Sequence, residues 1–114
     1  MKSNQLYLRH IMDAVEKIES YISVGQDEFM VTSHWQDAVI RQLEIIGEAT
    51  KKLSQELRLK HDSIPWRRIS GLRDVLIHNY MGVDIAAVWE ITQSYLPSLK
   101  TQVQIILEEL DNEH

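Results

Sequence analysis

The chain predicts an all-α fold, an antiparallel bundle of four to five helices in a single domain covering residues 1–114. Three observations carry that expectation. Apolar residues recur at the three- and four-residue steps of a helix, and no segment alternates at the two-residue step of a strand. Gly25, Pro65, Gly82 and Pro97 divide the chain into helical lengths joined by short connections. The composition, 44% hydrophobic and 25% charged, is that of a folded domain, and no Pro/Gly-rich tract points to disorder beyond the ends.

The first helix is expected over about Gln5 to Ser23, with Ile11, Val15, Ile18 and Ile22 on one side and Asp13, Glu16, Lys17 and Glu19 on the others. Gly25-Gln26-Asp27-Glu28 reads as a turn, and Phe29, Met30 and Val31 as an apolar plug under the next helix. Thr32 or Ser33 suits the N-cap of a second helix whose stripe runs Val39, Leu43, Ile46, Leu53 and Leu57. Ile40, Ile45 and Ala49 widen that stripe, which predicts contact with more than one helix or with another subunit. Gly47 costs such a helix about 1 kcal/mol relative to Ala, which predicts the close approach of another backbone.

Leu59 to Ser63 reads as a loop, and Pro65 belongs in the first turn of a third helix capped near Ser63 or Ile64. Trp66, Ile69, Leu72 and Leu76 give that helix its apolar face, and the stretch from Asn79 to Asp84, with Gly82, ends it. A fourth helix is expected from Val83 or Asp84, carrying Ile85, Val88, Trp89 and Tyr95 on one side. Pro97 removes a backbone donor and disfavours helix at Leu96, predicting a kink or a break that opens a fifth helix. Leu99, Val103, Ile106, Leu107 and Leu110 complete the apolar pattern.

No apolar run approaches the roughly 18 residues of a membrane span, and the N-terminus lacks the apolar core of a secretory signal. Cysteine is absent, which excludes disulfides and thiolate zinc sites. A cytoplasmic protein with no membrane partner is the simplest expectation. The net charge of −5 argues against a protein that coats nucleic acid. The charge is nonetheless uneven. Residues 51–73 carry a net +5, whereas residues 1–50 carry −4 and residues 84–114 carry −5. The basic third reads as a solvated helix end and loop or as a local phosphate-attracting patch, with Lys51, Lys52, Arg67 and Arg68 the candidates for RNA contact.

That patch runs into the segment Arg73-Asp74-Val75-Leu76-Ile77-His78-Asn79-Tyr80, where four chemically capable side chains suit phosphodiester chemistry. Arg73 offers a permanent charge and a planar fork for phosphate oxygens, able to stabilise charge growing on phosphorus. His78 can take and return a proton near neutral pH. Asp74 could orient either of them, and Tyr80 could donate a hydrogen bond, stack on a base or accept a modification. On a regular helix Arg73 and Tyr80 share a face, but His78 lies roughly 140° from Arg73. The pair converges only if the helix ends or distorts before His78, or if a second chain completes the site. The structural alternative is a buried Arg and a His capping a helix C-terminus.

Weaker constellations are set aside. His10/Asp13 and His34/Asp37 have helical i,i+3 spacing, but no third ligand is evident, so no metal is expected. Glu44 and Glu48 read as a solvated or salt-bridged pair, Trp35, Trp66 and Trp89 as core or interface anchors, and His61 as a loop residue beside the basic patch.

The motif Arg-x4-His-x-Tyr, with the polar Asp74 after the arginine, resembles the signature of HepT-like toxins of the HEPN superfamily. The similarity extends to QDAVIRQLEIIGEATKKLS (36–54), IPWRRISGLRDVLIHNYMGVD (64–84) and VWEITQSYLPSLKTQV (88–103), most of the chain. The resemblance implies a helical bundle that forms a homodimer, with two copies of the motif meeting in a cleft. It implies a metal-independent endoribonuclease without a cofactor, acting on RNA such as tRNA or mRNA. Its neighbour would be a minimal nucleotidyltransferase antitoxin that silences the toxin by AMP transfer to Tyr80. On that basis Arg73 and His78 are the expected catalytic residues. Asp74, Asn79 and Glu48 are expected to support them, Glu48 by orienting Arg73 from the second helix. His78 would take the proton of a ribose 2′-OH or protonate the leaving oxygen, giving a 2′,3′-cyclic phosphate.

Two rival readings follow from the same residues: a non-catalytic nucleotide- or substrate-binding partner of a nucleotidyltransferase, and a purely structural dimerisation domain. The enzyme needs Arg73 and His78 in one accessible cleft. The binding module needs the pocket but not His78 chemistry, and the structural domain needs neither.

Overall fold

The structure, a computed structural model, describes residues 2–72 and 84–113. Within them α1 runs Lys2–Ile22, and its apolar stripe Leu8, Ile11, Val15 and Ile18 is wholly withdrawn from solvent. These positions fall three or four residues apart, so they stack on one side of the helix. They pack against α3 (Ser33–Lys51), whose Val39, Leu43 and Ile46 are equally buried. The seam is antiparallel. At one end Asn4 bonds Ser54, just beyond α3, and at the other Tyr21 lies 6.1 Å from the Trp35 ring.

The C-terminal helix α7 (Leu96–Asp111) closes the core with Leu99, Val103 and Ile106. It too runs antiparallel to α1. Lys100 pairs with Glu19 at 3.0 Å near its start, and Asp111 pairs with Arg9 at 3.3 Å at its end. Short helices α2 (Gln26–Val31), α4 (Gln55–Lys60), α5 (Trp66–Ser70) and α6 (Ile85–Glu90) fill the remaining sides. The described residues are helices and connections, an all-α bundle around one apolar cluster. Among them no helix is long and apolar enough to cross a membrane.

Four local expectations are corrected. The turn predicted at residues 25–28 is confined to Gly25, whose φ of 93° is open to glycine, and α2 begins at the next residue. Of the predicted plug only Phe29 is buried. It lies 5.2 Å from the Trp89 ring and so ties α2 to α6, while Met30 and Val31 face solvent. The second helix does not run through to Leu57. It stops at Lys51, and Ser54 caps the separate α4, its Oγ accepting from the Leu57 N–H at 3.2 Å. The buried Asn4 fixes that break from outside, donating to Ser54 Oγ at 2.9 Å and accepting the Ser54 N–H at 2.9 Å. A serine that can satisfy two donors outcompetes helix continuation.

The fourth correction concerns Pro97. Neither a break nor a non-helical Leu96 results. Residues Ile91–Tyr95 form a π-helical turn between α6 and α7, and the Leu96 N–H reaches back five residues to the Ile91 carbonyl. Leu96 stays helical at φ −63°, ψ −38°. The wider turn lies directly upstream of the proline, whose missing N–H a regular helix would have needed. The Thr92 and Ser94 hydroxyls bond the Trp89 and Glu90 carbonyls at 2.6 and 2.8 Å, occupying backbone acceptors around this turn. Two expectations are met within a residue: α6 is capped by Asp84, which accepts the Ala87 N–H at 3.1 Å, and α5 follows directly on Pro65. The broad face of α3 is used by α1, α2 and α5 together.

Two stability outcomes follow. Ser54→Ala removes the α4 cap and strands the buried Asn4 amide, so urea denaturation is expected to show a loss of about 1–3 kcal/mol. Phe29→Ala empties a fully enclosed site against Trp89, and the same measurement is expected to show about 3–5 kcal/mol.

Candidate functional site

The candidate catalytic residues Arg73, Asp74, His78, Asn79 and Tyr80 lie outside the described residues, as does Leu76. The elements on either side of them are defined. Upstream, Trp66 and Ile69 bury the inner face of α5, and the Trp66 indole N–H donates to the His61 carbonyl at 3.0 Å. The Gly71 N–H closes α5 on the Arg67 carbonyl at 3.1 Å. Leu72 follows, half-buried, and Arg73 is the next residue in the chain. Downstream, the chain re-enters helix at the Asp84 cap.

Arg67 and Arg68 point out of α5, as expected once Trp66 and Ile69 take the core side. Together with Gly71, Leu72, Ile91 and Tyr95 they line a cavity of about 470 Å³ between α5 and the π turn. Among the described residues no carboxylate pairs with either guanidinium. Elsewhere in the basic third, Lys51 lies 3.7 Å from Glu48 and Lys60 lies 3.7 Å from Glu113, while Lys52 and Arg58 likewise have no carboxylate partner among the described residues. Arg67 and Arg68 thus bring two cations without carboxylate partners to one cavity, a place to which phosphate would be drawn.

Tyr95 belongs to the same cavity, although the sequence pattern alone places it on an apolar face. Its hydroxyl is buried and has no hydrogen-bond partner among the described residues. Burial pushes its pKa above the ordinary phenol value, and the Arg68 charge pulls the other way. The group is thus a neutral phenol near physiological pH, able to donate and to accept, and it lies within the field of Arg68. The signal that could have singled it out is a tyrosine two residues before a mid-helix proline. That is where a widened turn throws a side chain off the regular helical stripe.

The structure does not gather all four candidate RNA contacts. Lys52 lines a different cleft of about 340 Å³ on the α1–α3 side, with Tyr7, His10, Arg41, Glu44 and Glu48 among its walls. Glu48 is engaged there rather than free, and any contact with Arg73 falls outside the described residues. Glu44 lies 3.7 Å from Arg41, so each glutamate of the pair has its own cation. His10 meets Tyr7 edge-on at 5.9 Å, and His34 lies against Trp35 at 4.8 Å. Among the described residues no three His or carboxylate groups converge as a metal site would require.

Comparison with known proteins accords with this architecture. The family model described as Ribonuclease HepT-like matches residues 11–106, a span that includes both walls of the cavity and the Arg73–Tyr80 segment between them. A Methanocaldococcus jannaschii protein named "Gamma-glutamylcyclotransferase and putative RNase" is 44% identical over 111 residues, 96% of this chain, which spans 50% of that longer protein. A "Putative RNase" of Caldanaerobacter subterraneus is 41% identical across 95% of this chain and 97% of its own length. The "Probable ribonuclease HepT" of Thermococcus cleftensis is 41% identical across 87% of this chain and 91% of its own. No solved structure matches. With a family model covering most of its length and relatives of this identity along nearly all of it, the chain belongs to the HepT-like ribonuclease family.

Proposed function

We propose that this protein is a metal-independent endoribonuclease, with Arg73 and His78 as its catalytic residues. The observation that carries the reading is the Arg73-x4-His78-x-Tyr80 motif inside the span matched by the ribonuclease family model. The chemistry needs no more than these groups and RNA. A ribose 2′-oxygen attacks the adjoining phosphorus, the bond to the 5′-oxygen breaks, and the products are a 2′,3′-cyclic phosphate and a 5′-hydroxyl. One proton leaves the 2′-OH and one arrives at the 5′-oxygen, both transfers suited to an imidazole near neutral pH. Arg73 would offset the charge that builds on the phosphoryl oxygens.

The two residues diverge by roughly 140° on a regular helix, which favours a site shared by two copies of the chain. In such a homodimer one His78 acts as base and the other as acid, with Asp74, Asn79 and Glu48 in support. Arg67 and Arg68 supply unpaired cations to guide the RNA backbone. The family resemblance extends the proposal to a toxin–antitoxin pair in the cytoplasm. A minimal nucleotidyltransferase partner would place AMP on Tyr80, two residues beyond His78, where the added phosphate would repel RNA from the cleft. A non-catalytic nucleotide-binding role is the second reading, favoured by the Tyr95 cavity, which would need no contribution from His78.

Cleavage of RNA by the full chain in EDTA is expected to fall by about 10²–10⁴-fold in His78→Ala while the protein stays folded, and products should carry cyclic phosphate ends. Undiminished cleavage in that variant would remove His78 from the mechanism. Tyr80→Phe is expected to abolish AMP incorporation by a nucleotidyltransferase encoded beside it. A mass increment persisting in the variant would move the modification elsewhere.

A further inference from the structure

The most exposed large apolar side chain among the described residues is Val31, 78% open to solvent, and Met30 beside it is 37% open. Both sit on α2, and α2 is held in place from several sides. Phe29 anchors it 5.2 Å from the Trp89 ring. The Gln36 amide donates to the Phe29 and Met30 carbonyls at 2.9 and 3.1 Å, and the Thr32 hydroxyl donates to Glu28 at 2.9 Å. Asp27 lies four positions before Val31, so the carboxylate and the valine share one side of the helix. The end of α2 is therefore a fixed projection with two exposed apolar side chains and two carboxylates, Asp27 and Glu28, in its first turn.

The cavity between α5 and the π turn is its complement. Leu72 and Ile91 give it apolar walls, and its volume is about 470 Å³. Arg67 and Arg68 line it without carboxylate partners among the described residues. The α2 of the same chain does not fill it, since Val31 stays exposed. An RNA backbone alone would answer the guanidiniums and leave the apolar walls uncovered. The end of α2 answers both. We propose that the cavity of one copy of this chain receives the α2 end of a second copy. Val31 and Met30 then cover Leu72 and Ile91, and Asp27 and Glu28 face Arg67 and Arg68. Two different surfaces meet in such a contact, and every copy carries both. Because α2 is already fixed, little conformational freedom is lost on docking. The contact is small, so association is expected between about 10 μM and 1 mM, the weak end of specific interfaces. Docking goes beyond the ribonuclease reading and does not depend on it.

Sedimentation equilibrium of the full chain at rising concentration tests this, with Val31→Arg, Arg68→Glu and an equimolar mixture of the two. Both positions are exposed, so both variants should melt as wild type does. At equal concentration wild type should have a higher average mass than either variant. Each substitution sets like charges against each other across the contact and should weaken association at least about 10-fold. The mixture should rise above either variant alone, because the Arg68→Glu chain keeps an intact α2 and the Val31→Arg chain an intact cavity. The comparison is the same whether the smallest species is one chain or the homodimer proposed above. Wild-type mass no higher than that of either variant would overturn the docking. So would a mixture that stays at the variants' mass, since α2 and the cavity would then not be each other's partners. A single-stranded oligoribonucleotide titrated into each protein covers the other occupant. RNA binding lowered in Arg68→Glu, with all four samples at one mass, would give the cavity to RNA and overturn the docking.

Discussion

The dry antiparallel seam between α1 and α3 is the interaction on which the remaining structure depends. Leu8, Ile11, Val15 and Ile18 meet Val39, Leu43 and Ile46 with none of them exposed. Each such side chain contributes about 1.5–3 kcal/mol by leaving water, more than a solvent-exposed ion pair supplies. The seam defines two directions at once. It leaves one flank of α1 for α7, held in antiparallel register by ion pairs at both ends, and one flank of α3 for α5. Short helices that would not be stable alone can then lean on a long one, which is how five-residue α5 holds its shape.

The site region is built from exceptions to regular helix, and each exception has a local cause. Ser54 stops α3 because its hydroxyl and N–H are claimed by Leu57 and Asn4. Pro97 leaves its mark upstream, as a π turn that places Ile91 and Tyr95 at a cavity instead of on a uniform stripe. Gly71 ends α5 one residue before Leu72. Departures of this kind cluster where function is expected, because a uniformly packed bundle leaves no concave surface. Here two of them, the π turn and the end of α5, form the cavity, and the Arg73–Tyr80 motif follows its Leu72 wall in the chain.

Electrostatics divides the surface in the same way. An acidic protein that acts on RNA must keep its cations where the substrate goes and neutralise them elsewhere. The acidic residues of α7 and the chain end take up Arg9, Lys60 and His61, and Glu48 takes up Lys51. Arg67 and Arg68 are left without carboxylate partners among the described residues.

The sequence by itself determined the helical class, the stripes of α1, α3 and α7, the start of α6 near Asp84 and the family, because burial periodicity and motif spacing are local properties of the chain. It also located the basic third and the Arg73–Tyr80 segment. Tertiary structure decided what local patterns leave open. Whether Ser54 continues α3 or caps a new helix depends on Asn4, fifty residues before it in the chain. Whether Pro97 breaks a helix or widens it depends on the neighbours that α6 and α7 must keep. Which arginines and lysines remain unpaired depends on glutamates brought in from α7 and its end. Tyr95 had the least legible role. Its position on an apolar stripe fits a core residue, and only the fold shows that its hydroxyl is buried within the field of Arg68 with no partner among the described residues. Contacts between residues distant in sequence select among local alternatives of nearly equal energy, and periodicity carries no record of that selection.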